Sequence, residues 1–299
     1  MIACLAAISS IAWEPLAPRS TLRDVRVHNL WRQRIPYADA LAWQRQLRSA
    51  HIETLRLGEL PAEDTLLVVQ HPPVLTLGTS RCDCRRGCTR LGRSRPDAPL
   101  SVCRHSTLDN LRSDSPPFEL FRTERGGEVT YHGPGQLLLY PVLDLRAYRQ
   151  DVDWYLRSLE EVAIRTVGSL GLPAHREQGL TGVWVEDAKV CAIGVKLSRW
   201  VTMHGLALNV HVDLDHFEHI VPCGISDRPV TSIRKEHAAR TLLVGTTEAD
   251  LLERTQALLL RHFGDVFSAN LREVDTPPTL SVTEDSPKAM AHGQARDIT

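Results

Sequence analysis

The sequence is short of several things. It has no excess of charge: 35 Lys and Arg face 36 Asp and Glu, for a formal net charge of −1. That excludes a global basic field for nucleic acid and a strongly acidic one, so any charged partner must be met by a local patch. No apolar run reaches the roughly 20 residues a bilayer span needs, so no membrane role is expected. The seven cysteines (4, 82, 84, 88, 103, 191, 223) are odd in number and irregular in spacing, which excludes a simple disulfide framework and fits a reducing compartment. Cytoplasm is the expected location, with the plastid stroma as the alternative. The start, MIACLAAISSIAWEP, is apolar, but it lacks the basic residue that opens a secretory signal. Residues 1–23 therefore read as a leader, disordered or left from organelle targeting.

What is present is enough chain, 299 residues with 42% hydrophobic content, for one sizeable core. Tyr37 to His51 has the apolar spacing of a helix. Thr65 to Gln70 and Val74 to Leu77 read as strands, separated by His71-Pro72-Pro73. Residues 79 to 117, rich in Arg, Cys and Pro, have no period and predict a long inserted loop, most distinctly over 80–105. Strands follow at Phe118 to Arg122 and Leu137 to Leu145. Val152, Leu156, Leu159, Ala163, Val167 and Leu170 repeat at helical steps, with Gly171 placed to end the helix. Gly182 to Val185, Lys189 to Lys196 and Leu206 to Val212 are strand-like, the first two forming a hairpin about Glu186-Asp187. Thr247 and Asp250 form a capping box before a last helix. Residues 275–299 are polar and read as a disordered tail, leaving 24–274 as the catalytic unit. Strands and helices mix without strict alternation. The fold class is therefore α/β of the α+β type: a mixed central sheet with flanking helices.

Three blocks carry chemistry. The first is Arg125-Gly126-Gly127-Glu128-Val129-Thr130-Tyr131-His132, followed by Gly-Pro-Gly-Gln136. Adjacent glycines let backbone approach a ligand, Arg125 is a permanent cation, and Tyr131 and His132 add an aromatic wall and a titratable ring. A plain Gly-rich turn between two strands is the competing reading. The spacing is neither a Walker loop nor a dinucleotide fingerprint. The second block holds Lys189, a solvated turn lysine or a fixed charge able to favour a thiolate. Cys191, two positions on, would share its face and reads as a small core residue. The third block is Ile220-Val-Pro-Cys223-Gly. A cysteine between Pro and Gly sits on a constrained turn, and the turn alone leaves an inert thiol and a nucleophile equally open.

These blocks resemble the lipoyl(octanoyl) transferase family. RGGEVTYHGPGQ, the run GVWV…KVCAIGVKLSRW…HGLALNV, and IVPCGI followed by RPVTSI occur in family order over about residues 24–235. TLDNLRSDSPPFELF places the resemblance nearest the cyanobacterial and plastid branch. The resemblance implies the fold shared by biotin and lipoate protein ligases. It implies transfer of octanoyl from octanoyl-acyl-carrier protein to a lysine of lipoyl domains of 2-oxoacid dehydrogenases or of glycine-cleavage H protein. Cys223 matches the acyl-thioester nucleophile and Lys189 the lysine that lowers its pKa. Arg125 to His132, Ala192, Ile193 and Gly194, and Gly205, Leu206 and Ala207 match substrate-binding segments. No metal, ATP or other cofactor is implied, because the thioester arrives activated. Val129, Ile193 and Leu206 are expected to line an apolar slot for the octanoyl tail, with backbone amides near Gly224 holding the oxyanion.

Two departures stand out: the longer stretch from Ser80 to His105, and Cys191 where the family carries a small apolar residue. Cys82, Cys84, Cys88, Cys103 and His105 raise a zinc site, against which their spacing argues. Competing functions are an ATP-dependent lipoate or biotin protein ligase, a non-catalytic acyl- or partner-binding module, and a cysteine hydrolase pairing Cys223 with His132 or His204.

Overall fold

The structure, a computed structural model, describes residues 13–16, 22–59, 63–79, 118–218, 220, 228–240 and 245–279. The expected insertion at 80–105, its cysteines, and Cys223 with Gly224 lie outside the described residues, as does the tail beyond 279.

The strands are β1 (Arg23–Arg34), β2 (Asp64–Gln70), β3 (Val74–Leu77), β4 (Glu119–Arg122), β5 (Val129–His132), β6 (Gln136–Val142), β7 (Ala174–His175), β8 (Val183–Val185), β9 (Ala188–Ser198), β10 (Val201–Asn209) and β11 (Ala269–Val274). The helices are α1 (Tyr37–Arg56), α2 (Val152–Ser169), α3 (Ile233–Arg240) and α4 (Glu248–Phe267). Eight strands form one sheet in the order β11-β1-β2-β6-β10-β9-β8-β7, and β4-β3-β5 form a small second sheet. β1 runs parallel to both β2 and β11, while β2-β6, β6-β10, β10-β9, β9-β8 and β8-β7 are antiparallel. The mixed sheet expected from the sequence is present.

Strand alternation sorts the side chains onto two faces. Leu137 and Leu139 of β6 and Leu206 and Leu208 of β10 pack on one face with α2 (Tyr155, Leu159, Ala163) and α4 (Leu259, Phe263, Phe267). Leu138 and Tyr140 of β6 and Ala207 of β10 face α1, through Ala40 and Trp43. Each such Leu or Phe withdrawn from water contributes about 1.5–3 kcal/mol. Helix ends follow the sequence. Asp151 accepts the Trp154 N–H at 3.0 Å, Gly171 takes φ 83° past Leu170, and Thr247 and Asp250 close a capping box.

Three expectations change. The strand over 137–145 stops at Val142, and Leu145 lies in a 3-10 turn held by Asp144. The strand over 206–212 is Val201–Asn209, which begins after a hairpin whose Arg199 and Trp200 both have positive φ, as a two-residue type I′ turn requires. Within the leader, residues 13–16 are docked: Trp13 Nε1 donates to Ser158 Oγ at 3.1 Å, and Trp154 Nε1 donates to the Glu14 carbonyl at 3.0 Å. Residues 275–279 carry neither helix nor strand.

Candidate active site

The Gly-rich block is more than a turn. Val129–His132 is a strand that pairs antiparallel with β3, so its side chains alternate. Thr130 and His132 face a slot, while Val129 and Tyr131 pack the other way with Leu75, Phe118 and Phe217. Tyr131 is 1% exposed and rings with Phe118, His216 and Phe217 at 4.9–5.4 Å centroid distance. The expectation that Val129 lines the acyl slot is therefore corrected by strand alternation.

Residues 125–128 form a turn clamped between two glycines. A Cβ on Gly78 would lie 2.0 Å from the Gly127 carbonyl oxygen, and one on Gly194 3.0 Å from that of Gly126. Only bare backbone on both sides admits the turn this closely. The Gly126 N–H then donates to the Val195 carbonyl at 3.0 Å, and the Gly78 N–H to that of Glu128 at 3.1 Å. Arg125 is 8% exposed, and its Nη2 donates to Thr76 O, Thr76 Oγ1 and Glu128 O at 2.8–2.9 Å. The cation thus stitches its own turn to β3. Burial raises the Glu128 carboxyl above its ordinary value.

Between this turn, α1 and the sheet runs a narrow slot of about 40 Å³. Its walls are Tyr37, Arg125, Gly127, Thr130 and His132, and its floor comes from β6, β9 and β10. Ala192 pairs across from Ala207, and Gly194 from Gly205. Ile193 and Leu206 border the slot, yet their side chains join the helix-side core. The apolar lining expected from Val129, Ile193 and Leu206 is instead made by small residues with Leu138 and Tyr140.

Lys189 is placed by a bulge. Val183 pairs with Cys191 but Trp184 with Lys189, so β9 has one residue, Val190, in excess. Val190 and Cys191 both pack in the helix-side core. The extra residue turns Lys189 to the opposite face, that of Ala192 and the slot. The expectation that Lys189 and Cys191 share a face fails for this reason. Lys189 is 7% exposed, its stem runs beside Gly182, and its Nζ lies 4.8 Å from the Trp184 ring centre. Its backbone is held by the strand-like segment 229–231: Lys189 N–H donates to Pro229 O and Thr231 N–H to Lys189 O, both at 2.9 Å. Cys191 is fully buried, and burial pushes its thiol up, which marks it as the small core residue expected.

A directed hydrogen-bond chain crosses the slot face. The Thr231 carbonyl can only accept, so Asn209 Nδ2 donates to it at 3.0 Å. Asn209 Oδ1 is then the acceptor of Gln136 Nε2 at 2.8 Å, and Gln136 Oε1 that of His132 Nδ1 at 2.7 Å. His132 is left with a bare Nε2, 3.4 Å from Thr76 Oγ1. Burial first, then the neighbouring His71, Arg125 and His204, holds its pKa at about 3. His71, fully buried, is held at about 4 by desolvation. His204, at φ 60°, lies at the slot margin and is also lowered by burial, although Glu124 at 3.8 Å opposes the shift. Glu124, bound by His204 and by Arg45 at 2.7 Å, sits at about 2.

Tyr37, Leu138, Tyr140, Gln136 and Asn209 escaped the sequence reading as site residues. The Gln of HGPGQ and the Asn of HGLALN were visible as motif letters, but their pairing across strands was not. Among the described residues no group of three His, Cys, Asp or Glu side chains could hold a metal. No described helix is long and apolar enough to cross a membrane.

Residues 102–255 match the family model described as lipoyl protein ligase A/B catalytic domain. A lipoate-protein ligase A solved with ATP bound superposes with a TM-score of 0.57 at 17% identity, over 87% of this chain and 90% of that one. Together these define the class: a catalytic domain of the lipoyl protein ligase A/B fold. An octanoyltransferase of Gloeobacter violaceus is 46% identical over 199 residues, 67% of this chain and 76% of the relative. A chloroplastic octanoyltransferase of Arabidopsis thaliana is 37% identical over 257 residues, 84% of this chain and 81% of the relative. The chain belongs to the octanoyltransferase family and is an acyltransferase.

Proposed function

We propose that this chain moves an octanoyl group from octanoyl-acyl-carrier protein, through a thioester on Cys223, to a lysine of a lipoyl domain. The observation that carries the reading is the placement of Lys189. A bulge turns it onto the slot face, and its backbone is bonded to residues six and eight positions past Cys223 in the chain. A thiol with an ordinary pKa of about 8.5 is only a few per cent ionised at neutral pH, and a neighbouring ammonium favours the thiolate. The thiolate attacks the donor carbonyl, the C–S bond to the carrier breaks, and the carrier thiol leaves. The acceptor amine then attacks, an amide forms, the C–S bond to Cys223 breaks, and the thiolate returns. Both steps conserve the activated acyl group, so no nucleotide is consumed.

The slot supports an unbranched apolar chain. Its floor is Ala192, Gly194, Gly205 and Ala207, and Arg125 to His132 form its lid. Two-step transfer gives ping-pong kinetics. Residues 24–274 are the proposed catalytic unit. Acceptors are lipoyl domains of 2-oxoacid dehydrogenases and the glycine-cleavage H protein; one solved structure similar to this chain is of an archaeal lipoate protein ligase and its E2 lipoyl domain. The chloroplastic relative favours the plastid stroma over the cytoplasm.

Intact mass spectrometry after mixing with octanoyl-carrier protein tests the reading. The expected result is a hydroxylamine-labile octanoyl adduct that is absent from Cys223→Ala and is discharged by a lipoyl domain. An adduct surviving that substitution sinks the reading, and pyrophosphate released from ATP with lipoate points to a ligase instead.

A further inference from the structure

We infer that Asn209 is a positioning residue for the transfer: it holds segment 229–231 in register against Lys189 and so fixes the ammonium relative to the reacting thiol. The inference rests on the proposed role of Cys223. Three observations support it. First, Asn209 is 4% exposed and spends both ends of its amide inside the protein, on Gln136 Nε2 at 2.8 Å and on Thr231 O at 3.0 Å. Second, Thr231 is the same residue whose N–H donates to the Lys189 carbonyl, so one side chain ties the slot face and the lysine backbone to one strand. Third, the direction of every bond from Thr231 back to His132 is dictated by a carbonyl that can only accept. Gln136 and Asn209 therefore have one satisfied orientation each.

The same segment has other anchors. Thr231 Oγ1 donates to Glu236 at 2.6 Å, and the Arg234 N–H donates to the Val210 carbonyl at 2.8 Å. These hold α3 without Asn209. Loss of the Asn209 amide thus leaves the segment attached but free to slide against β9. Because Asn209 is neutral and touches neither Lys189 Nζ nor its ring partner Trp184, its effect on the thiol is geometric.

The test is the pH dependence of Cys223 alkylation by iodoacetamide, read on the Cys223 peptide by mass spectrometry, together with steady-state octanoyl transfer. Asn209→Leu keeps the volume and removes both bonds; Asn209→Ser serves if the leucine variant does not fold. Thr247→Ala, a remote cap loss, controls for lowered stability. The expected result is an alkylation midpoint raised by about one pH unit toward the free-thiol value of about 8.5. With it, kcat should fall at least tenfold and KM for the donor should stay within twofold, while Thr247→Ala keeps the wild-type midpoint. A wild-type midpoint in the folded Asn209 variant overturns the inference, whatever happens to its melting temperature. If wild-type protein forms no octanoyl adduct on Cys223, both readings fall. An adduct with an unmoved midpoint overturns the Asn209 inference alone.

Discussion

Gly205→Ala is the sharpest test of how the slot is built. The added methyl would lie 2.1 Å from the Leu139 carbonyl oxygen, 2.8 Å from Pro141 Cδ and 3.2 Å from the Leu139 carbonyl carbon. Two of the three neighbours are backbone of β6, which cannot rotate away. β10 must therefore move by about 1 Å from β6 to reach ordinary contact, at the middle of an eight-stranded sheet. Overpacking of this kind costs about 1–3 kcal/mol. At roughly 2–4 °C per kcal/mol, the melting temperature should fall by about 2–12 °C. The same movement shifts the slot floor against the Arg125–Glu128 turn, and a misplacement of about 1 Å is enough to lower kcat/KM on the order of 100-fold. Gly168→Ala is the matched control. Gly168 lies in α2 with nothing within 4 Å of its added methyl, so the substitution should stabilise by about 0.5–1 kcal/mol through helix propensity. Thermal melting and octanoyl-transfer kinetics on both variants decide the matter. A Gly205→Ala protein that melts and turns over like wild type would falsify the reasoning.

Lys189→Met keeps the stem beside Gly182 and removes the ammonium; octanoyl transfer should fall on the order of 100-fold or more while the fold persists, and near wild-type rates would remove Lys189 from the mechanism. Acidification should destabilise the protein through His71 and His132, held at about 4 and about 3 by burial. Between these values and the ordinary 6.5 the unfolded chain binds more protons, so this stability is complete above pH 6.5 and is lost as pH falls toward 4. The loss is about 2 kcal/mol per ring at pH 5, and equal urea midpoints at pH 7.5 and pH 5 would contradict it. Thr247→Ala breaks the capping box of α4 and should cost about 1 kcal/mol in urea unfolding without touching transfer. An unchanged urea midpoint would show that the capping box contributes nothing.

Much of this architecture is legible in the residues because local rules act alone there. α2 declares itself by its spacing, Asp151 and Gly171, and α4 by Thr247 and Asp250. β1 and β11 did not. Their sequences, RDVRVHNLWRQR and ANLREV, mix charge with apolar residues, and they pair in parallel with each other across nearly the whole chain. Nothing local announces such a pairing. The site divides the same way. Arg125 to His132 stood out by composition, but its division into a clamped turn and a strand depends on β3 and β9. The face of Lys189 depends on one surplus residue, Val190, which a two-residue period cannot reveal.

The slot also explains why a family of small residues, not large apolar ones, marks the acyl site. A pocket walled by leucines adapts, since leucine side chains change rotamer at small cost. Here the floor is largely main chain, carried by Ala192, Gly194, Gly205 and Ala207, and the facing turn is fixed by Arg125 and by carbonyl contacts at Gly78 and Gly194. Backbone in a paired sheet moves only by breaking its ladder. Chain width is therefore set by covalent geometry and hydrogen bonds, and the large residues Ile193 and Leu206 are left to hold the sheet to α2 and α4 from behind. Enlarging Ala192 or Ala207 should then exclude the acyl chain outright, whereas trimming Leu206 should cost stability, at about 2–5 kcal/mol for Leu→Ala, before it costs selectivity.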